Sequence, residues 1–123
     1  MKVVALDYGR ARTGVAVSDP TGTVARPLGV VERAASTKGL ERLREIVESE
    51  GAEKVVVGMP LTLKGERGEQ AQETERFVAS LRSIVSVPVE TYDERFTSVL
   101  AGGDDAKAAA HLLSDYLERS PAG

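Results

Sequence analysis

Two strand-forming runs at the start of the chain leave little freedom in how it folds. Val3-Val4-Ala5-Leu6 is apolar throughout and is cut off by Asp7. The next run, Thr13-Gly14-Val15-Ala16-Val17-Ser18, follows after only the turn Tyr8-Gly9-Arg10-Ala11-Arg12. A short run that is apolar at every position suits a central strand covered on both faces. Parallel neighbours need a long crossover between them, so runs this close in sequence are expected to pair antiparallel. Asp19-Pro20-Thr21-Gly22 supplies a second turn, with Pro presetting φ and Gly accepting a positive one. Thr23 to Arg33 then completes a three-strand meander, and Pro27, which cannot donate to a ladder, marks a sheet edge.

Beyond the meander the apolar period changes. Leu40, Leu43, Ile46 and Val47 recur at helical spacing between Gly39 and Glu50, and Gly51 closes that helix. Lys54-Val55-Val56-Val57-Gly58 is another buried strand; reached through a helix, it is expected to run parallel to the first. Met59 to Gly68 reads as a loop. Ala71, Thr74, Phe77, Val78 and Leu81 mark a second amphipathic helix, Val87 to Tyr92 a fifth strand, and Asp104 to Glu118 a last helix. The 123 residues therefore predict a single α/β domain, residues 1–123, built on a five-stranded mixed sheet. Its antiparallel three-strand meander is joined by two parallel strands, and helices flank the sheet.

Composition narrows the chemistry. There is no cysteine, which removes disulfides, thiolate metal sites and Cys nucleophiles together. With His111 as the one histidine, a His-rich zinc site and a Ser-His-Asp triad are both disfavoured. Catalysis must rest on carboxylates, hydroxyls, Lys and Arg. The net charge of −3 argues against indiscriminate nucleic-acid binding, but it is unevenly spread. Residues 1–38 carry six basic side chains (Lys2, Arg10, Arg12, Arg26, Arg33, Lys38) against three acidic ones (Asp7, Asp19, Glu32), a net +3. The remainder is left with −6, so the chain has room for a phosphate-facing edge but not for a basic body. The opening apolar run is shorter than a signal peptide's, and no later run could span a bilayer. A cytoplasmic location with no membrane partner is expected.

Three carboxylates stand where that chemistry needs them. Asp7 ends the first strand, where a buried carboxylate is costly unless a cation or hydrogen-bond donors meet it; capping the turn is the plainer alternative. Gly9 and Gly14 would leave room for a phosphate or metal to approach the backbone. Asp93 and Glu94 fall where the fifth strand gives out. A parallel fifth strand would deliver them to the same sheet edge as Asp7, where ligands of open α/β sheets gather. Alternatively they belong to a loop charge cluster with Thr97 as a helix cap. Asp105 shares an apolar helix face with Ala109, Leu112, Leu113 and Tyr116, whereas Asp104 falls with Ala108, His111 and Asp115 toward water. For Asp105 the alternative is an N-terminal cap.

If Asp7, Glu94 and Asp105 converge, their mutual repulsion calls for divalent cations, and hard oxygen ligands suit Mg²⁺ or Mn²⁺. Such a cluster fits two-metal phosphodiester hydrolysis, with ions about 3.5–4 Å apart and no protein nucleophile. Arg10, Arg12, Lys64, Arg67 and Arg95 are the candidates to hold phosphates, each being otherwise a solvated surface charge.

Taken together these segments resemble one family. Asp7-Tyr8-Gly9-Arg10-Ala11-Arg12-Thr13-Gly14-Val15-Ala16-Val17-Ser18-Asp19 looks like the opening strand-and-hairpin signature of the YqgF/RuvX family of Holliday-junction-resolvase-like proteins. Val57-Gly58-Met59-Pro60-Leu61, followed by Gly65 and Gly68, is similar to its fourth strand and glycine-containing loop. Asp93-Glu94-Arg95-Phe96-Thr97-Ser98 resembles its Asp-Glu-Arg-x-Thr motif, and Asp105 to Leu117 its closing helix, which begins with an acid. The resemblance runs nearly end to end. It implies an RNase H-like fold, divalent-metal nuclease chemistry, and Asp7, Glu94 and Asp105 as the metal-binding acids. It also implies one of two substrates, the 5′ end of precursor 16S ribosomal RNA (pre-16S rRNA) or a four-way DNA junction. One departure stands out. Only Val99-Leu100-Ala101-Gly102-Gly103-Asp104 separates Ser98 from Asp105, where the family usually carries a longer basic stretch. A true deletion there would bear on affinity and junction selectivity more than on fold or metal chemistry.

Two other readings compete. Actin-like and sugar-kinase ATPases also begin with Asp-x-Gly, but they clamp nucleotide between two such lobes and this chain holds one. An inactive nucleic-acid or ribosome-assembly binding module would keep the fold without the chemistry. Between the two nuclease substrates symmetry discriminates: paired cuts across a junction need two active sites and hence a homodimer, whereas trimming one RNA end needs one.

Overall fold

A computed structural model describes residues 1–60, 68–94 and 104–119, with the side chain of Glu94 excepted. Its strands are β1 (Val3–Asp7), β2 (Arg12–Ser18), β3 (Ala25–Glu32), β4 (Lys54–Pro60) and β5 (Val89–Glu94). The helices are α1 (Thr37–Glu50), α2 (Glu69–Arg82) and α3 (Asp105–Arg119). The sheet order is β3-β2-β1-β4-β5. β1 pairs antiparallel with β2, and β2 with β3, while β1–β4 and β4–β5 are parallel. The meander and the two parallel additions are those the sequence predicts. Pro27 lies on edge strand β3, next to a register shift that leaves Leu28 unpaired between Gly29 and Pro27.

Alternation along the buried strands divides the core in two. Val4, Leu6, Val15, Val17, Val55 and Val57 pack with Leu43, Ile46, Val47, Phe77, Val78 and Leu81 under α1 and α2. Val3, Ala5, Ala16 and Val56 face the other way, against Ala109, Leu112, Leu113 and Tyr116 of α3. Ala5 and Ala16, two of these buried sheet residues, are small, so a single helix can lie close to the sheet. Ser36 caps α1 by accepting from the Gly39 amide at 3.0 Å, and Gly51 ends it at φ 65°. Among the described residues no helix is long and apolar enough to cross a membrane.

Several boundaries differ from expectation, each for a local reason. β3 begins at Ala25 rather than Thr23, because the Thr23 and Val24 amides donate to Asp19 Oδ1 at 2.7 and 2.9 Å. The Thr21 hydroxyl also donates to Asp19, and with those amides it holds the Asp19 carboxyl far below its usual range. β4 continues to Pro60 and β5 to Glu94, so Asp93 and Glu94 are still in the ladder, opposite Met59 and Pro60. The helix cap is Asp104, whose Oδ1 accepts from the Lys107 amide at 3.0 Å, and this leaves Asp105 free of that duty.

α3 is tied to β5 by tyrosines. Tyr92 donates to Asp115 Oδ2 at 2.5 Å and meets the Tyr116 ring edge-on at 5.6 Å. Lys54 Nζ donates to the Tyr116 hydroxyl at 3.0 Å, and that hydroxyl donates in turn to Glu90. Burial, then the Asp115 hydrogen bond, push the Tyr92 hydroxyl up to about 12. A phenol with a raised folded-state pKa stabilises the fold at pH values below its unfolded value of about 10. That contribution is lost as pH climbs toward the folded value. We therefore expect stability to fall between about pH 10 and 12. Tyrosinate absorbance should show Tyr92 as the last residue to titrate, and Tyr92→Phe should remove that final step and flatten the decline.

Candidate active site

The site is built at the end of β1. Asp7 is its last residue, half-buried, and sits opposite Gly14 of β2. It has the same alternation phase as Val3 and Ala5, the residues of β1 that face α3. Gly14 explains how the end of the chain reaches this corner. A Cβ placed there would lie 1.7 Å from the carbonyl oxygen of Asp105 and 2.3 Å from its carbonyl carbon. The first turn of α3 thus rests backbone to backbone on the residue paired with Asp7. Asp7 and Asp105 meet at one corner although nearly the whole chain lies between them.

The expectation that Gly9 and Gly14 leave space for a ligand is corrected by this packing. Gly14 is covered by α3, and a Cβ on Gly9 would come within 2.4 Å of the Arg12 carbonyl oxygen. Both glycines make room for the protein's own backbone.

Glu94 is placed here by its backbone alone. It ends β5, in register with Pro60, and parallel β1, β4 and β5 deliver their C-terminal ends to one edge of the sheet. Position 94 falls in the same alternation phase as Glu90 and Tyr92, both bonded to residues of α3. Asp93 falls in the phase of Val89, which belongs to the core under α1 and α2. Among the described residues no group of three or more acidic or histidine side chains could hold a metal. Of the three candidate ligands, Asp7 and Asp105 are the two whose side chains are described.

Two of the five candidate phosphate-holding residues can be followed, and each faces an acid. Arg12 Nε stands 3.3 Å from Asp105 Oδ2, so a cation already accompanies that carboxylate. Arg10 donates to Glu73 Oε1 of α2 through its Nε at 3.1 Å and a terminal nitrogen at 2.6 Å. Tyr8 donates to the other Glu73 oxygen at 3.0 Å and stacks on Phe77 at 4.4 Å. Arg10, then Tyr8, lower the Glu73 pKa; burial, then Glu73, raise that of Tyr8. Lys64, Arg67 and Arg95 lie outside the described residues.

A family model described as a Holliday junction resolvase, RuvX, matches residues 1–119. The chain belongs to the RuvX family. Among its curated relatives, one from Rubrobacter xylanophilus is 43% identical over 131 residues, spanning 95% of this chain and 92% of the relative. Another, from Chloroflexus aurantiacus, is 40% identical, spanning 94% and 86%. Both are named "Putative pre-16S rRNA nuclease". Among solved structures, that of T. thermophilus RuvC in complex with a Holliday junction substrate aligns with a TM-score of 0.63 at 18% identity. It covers 98% of this chain and 96% of the RuvC chain, which establishes the RNase H-like fold.

One residue at this corner of the RuvX fold escaped the sequence reading. Glu73 carried no motif. The signal available was its place one helical turn before Phe77, on the face of α2 that meets Tyr8.

Proposed function

We propose that this chain is a divalent-metal-dependent nuclease that hydrolyses phosphodiester bonds of structured RNA, trimming the 5′ end of pre-16S rRNA in the cytoplasm. The observation that carries the proposal is the packing of the Asp105 backbone onto Gly14, the residue paired with Asp7, which brings the start of α3 to the end of β1 at the C-terminal edge of the parallel strands.

The donor set fits a hard cation. Its oxygens are carboxylates, and the chain has no cysteine to add a soft ligand. Asp7, Glu94 and Asp105 would hold Mg²⁺ or Mn²⁺. Bound there, the ions would lower the pKa of an attacking water and stabilise the leaving oxygen. The chain's own contribution is positional: Gly14 seats the start of α3 on β2 next to the end of β1, and Asp104 rather than Asp105 caps α3. Arg10, Arg12, Lys64, Arg67 and Arg95 would meet substrate phosphates around it.

RNA is favoured over a branched DNA by the relatives at 40% and 43% identity, both named for pre-16S rRNA. The likeness to the junction-bound RuvC, at 18%, speaks for fold alone. End-trimming also needs only one active site, so no homodimer is required. The test is cleavage of a pre-16S rRNA 5′ fragment beside a four-way junction, in Mg²⁺, Mn²⁺ and EDTA, with cut positions mapped. We expect metal-dependent cuts near the mature RNA end and little cutting of the junction. Symmetric nicks confined to the junction would reassign the substrate, and cleavage undiminished in EDTA would refute metal dependence.

A further inference from the structure

Beside the carboxylate corner lies a second feature, made by Tyr8, Arg10 and Glu73. Two donors, a phenol and a guanidinium, converge on one carboxylate from a different element. That is the donor set a backbone phosphate would engage. The two ends of the contact are unequal. Tyr8 is anchored by stacking on Phe77, whereas the Arg10 side chain is 86% exposed and Glu73 22%. An ion pair with one partner so exposed is weak and readily exchanged.

We propose that Tyr8 and Arg10 form a phosphate subsite for a substrate nucleotide flanking the cut, and that Glu73 occupies it in the free protein as an internal stand-in. The inference rests on the nuclease reading above. Tyr8 directly follows Asp7 and stacks on the α2 side of the sheet, away from α3. The phosphate bound there is therefore a neighbour of the scissile one. Glu73 makes entry competitive. A polyanion must displace a carboxylate, so a short or poorly placed nucleic acid gains little from Arg10 alone. The displaced Glu73 takes up a cation as the phosphate releases one, so the net counterion release on binding is smaller than the contact would otherwise give.

Binding of a labelled pre-16S rRNA 5′ fragment, measured by anisotropy in EDTA across 50–200 mM salt, tests this. Glu73→Gln keeps the side chain's shape and removes its charge. It should tighten binding about threefold to tenfold at low salt and steepen the salt slope by close to one ion. Arg10→Gln should weaken binding and flatten the slope, and in the double variant Glu73→Gln should no longer matter. If Glu73→Gln binds as the wild type does, or the two changes add independently, Glu73 is only a strut between α2 and the β1 end. In that case wild-type cleavage is untouched and the nuclease reading survives. Failure of the wild type to bind or cut either the RNA or a four-way junction overturns both.

Discussion

Gly14→Ala is expected to lift the first turn of α3 off the sheet and slow cleavage about a hundredfold. The methyl group would sit 1.7 Å from the Asp105 carbonyl oxygen, a backbone atom that no rotamer change can move. Either α3 shifts or β2 does, and both belong to the core that joins Ala5 and Ala16 to Ala109, Leu112 and Leu113. Overpacking of this kind costs about 1–3 kcal/mol, and backbone-on-backbone contact puts Gly14 at the upper end. A domain of this size should lose on the order of 10 °C in Tm. Activity should fall further than stability, because a displacement of about 1 Å at Asp105 is worth roughly a hundredfold in rate. The control is internal. A Cβ at Gly29, on edge strand β3, meets nothing within 4 Å, so Gly29→Ala should leave both melting and cleavage close to wild type. Equal effects from the two substitutions would show that Gly14 matters for strand propensity and not for seating α3.

The second large effect is expected at Asp7. Asp7→Asn keeps the shape of the side chain and removes its charge at the end of β1, beside Gly14. If Asp7 holds a catalytic ion, several kcal/mol of transition-state stabilisation go with it, and about 4 kcal/mol corresponds to a thousandfold in rate. Melting should change little, since Asp7 is half-buried and at the rim of the core. RNA binding in EDTA should be unchanged or slightly tighter, because one negative charge has been removed. Cleavage that persists in Asp7→Asn would point to another site or to a contaminating nuclease.

The sheet was largely legible because its signals are local. Val3-Val4-Ala5-Leu6 and Lys54 to Gly58 advertise burial on both faces, and short turns fix the antiparallel pairs before any tertiary contact is considered. The strand ends were less so. β5 was expected to stop at Tyr92, where apolar residues give out, yet it pairs on through Glu94. Hydrophobic pattern reports burial, whereas ladder hydrogen bonds continue wherever a neighbouring strand runs alongside, and β4 does so to Pro60.

The same distinction governs the acids. Periodicity placed Asp105 on the apolar stripe correctly, but it could not say that Asp104 would take the capping role. Capping depends on which residue stands just outside the first turn. Gly14 read as spare room because a sequence shows that a side chain is missing and not what fills the gap. Its occupant, the start of α3, is almost the whole chain away. Arg10 and Arg12 were legible as cations, but their partners Glu73 and Asp105 are set by tertiary packing.

Metal binding measured directly tests the corner without depending on substrate or turnover. Titration calorimetry with Mn²⁺ should show saturable binding to the wild-type protein. Asp7→Asn and Asp105→Asn should each weaken it at least tenfold, on the order of what disturbing even the outer shell of a metal site costs. Two folded variants that take up Mn²⁺ just as the unaltered chain does would mean that these carboxylates share no ion.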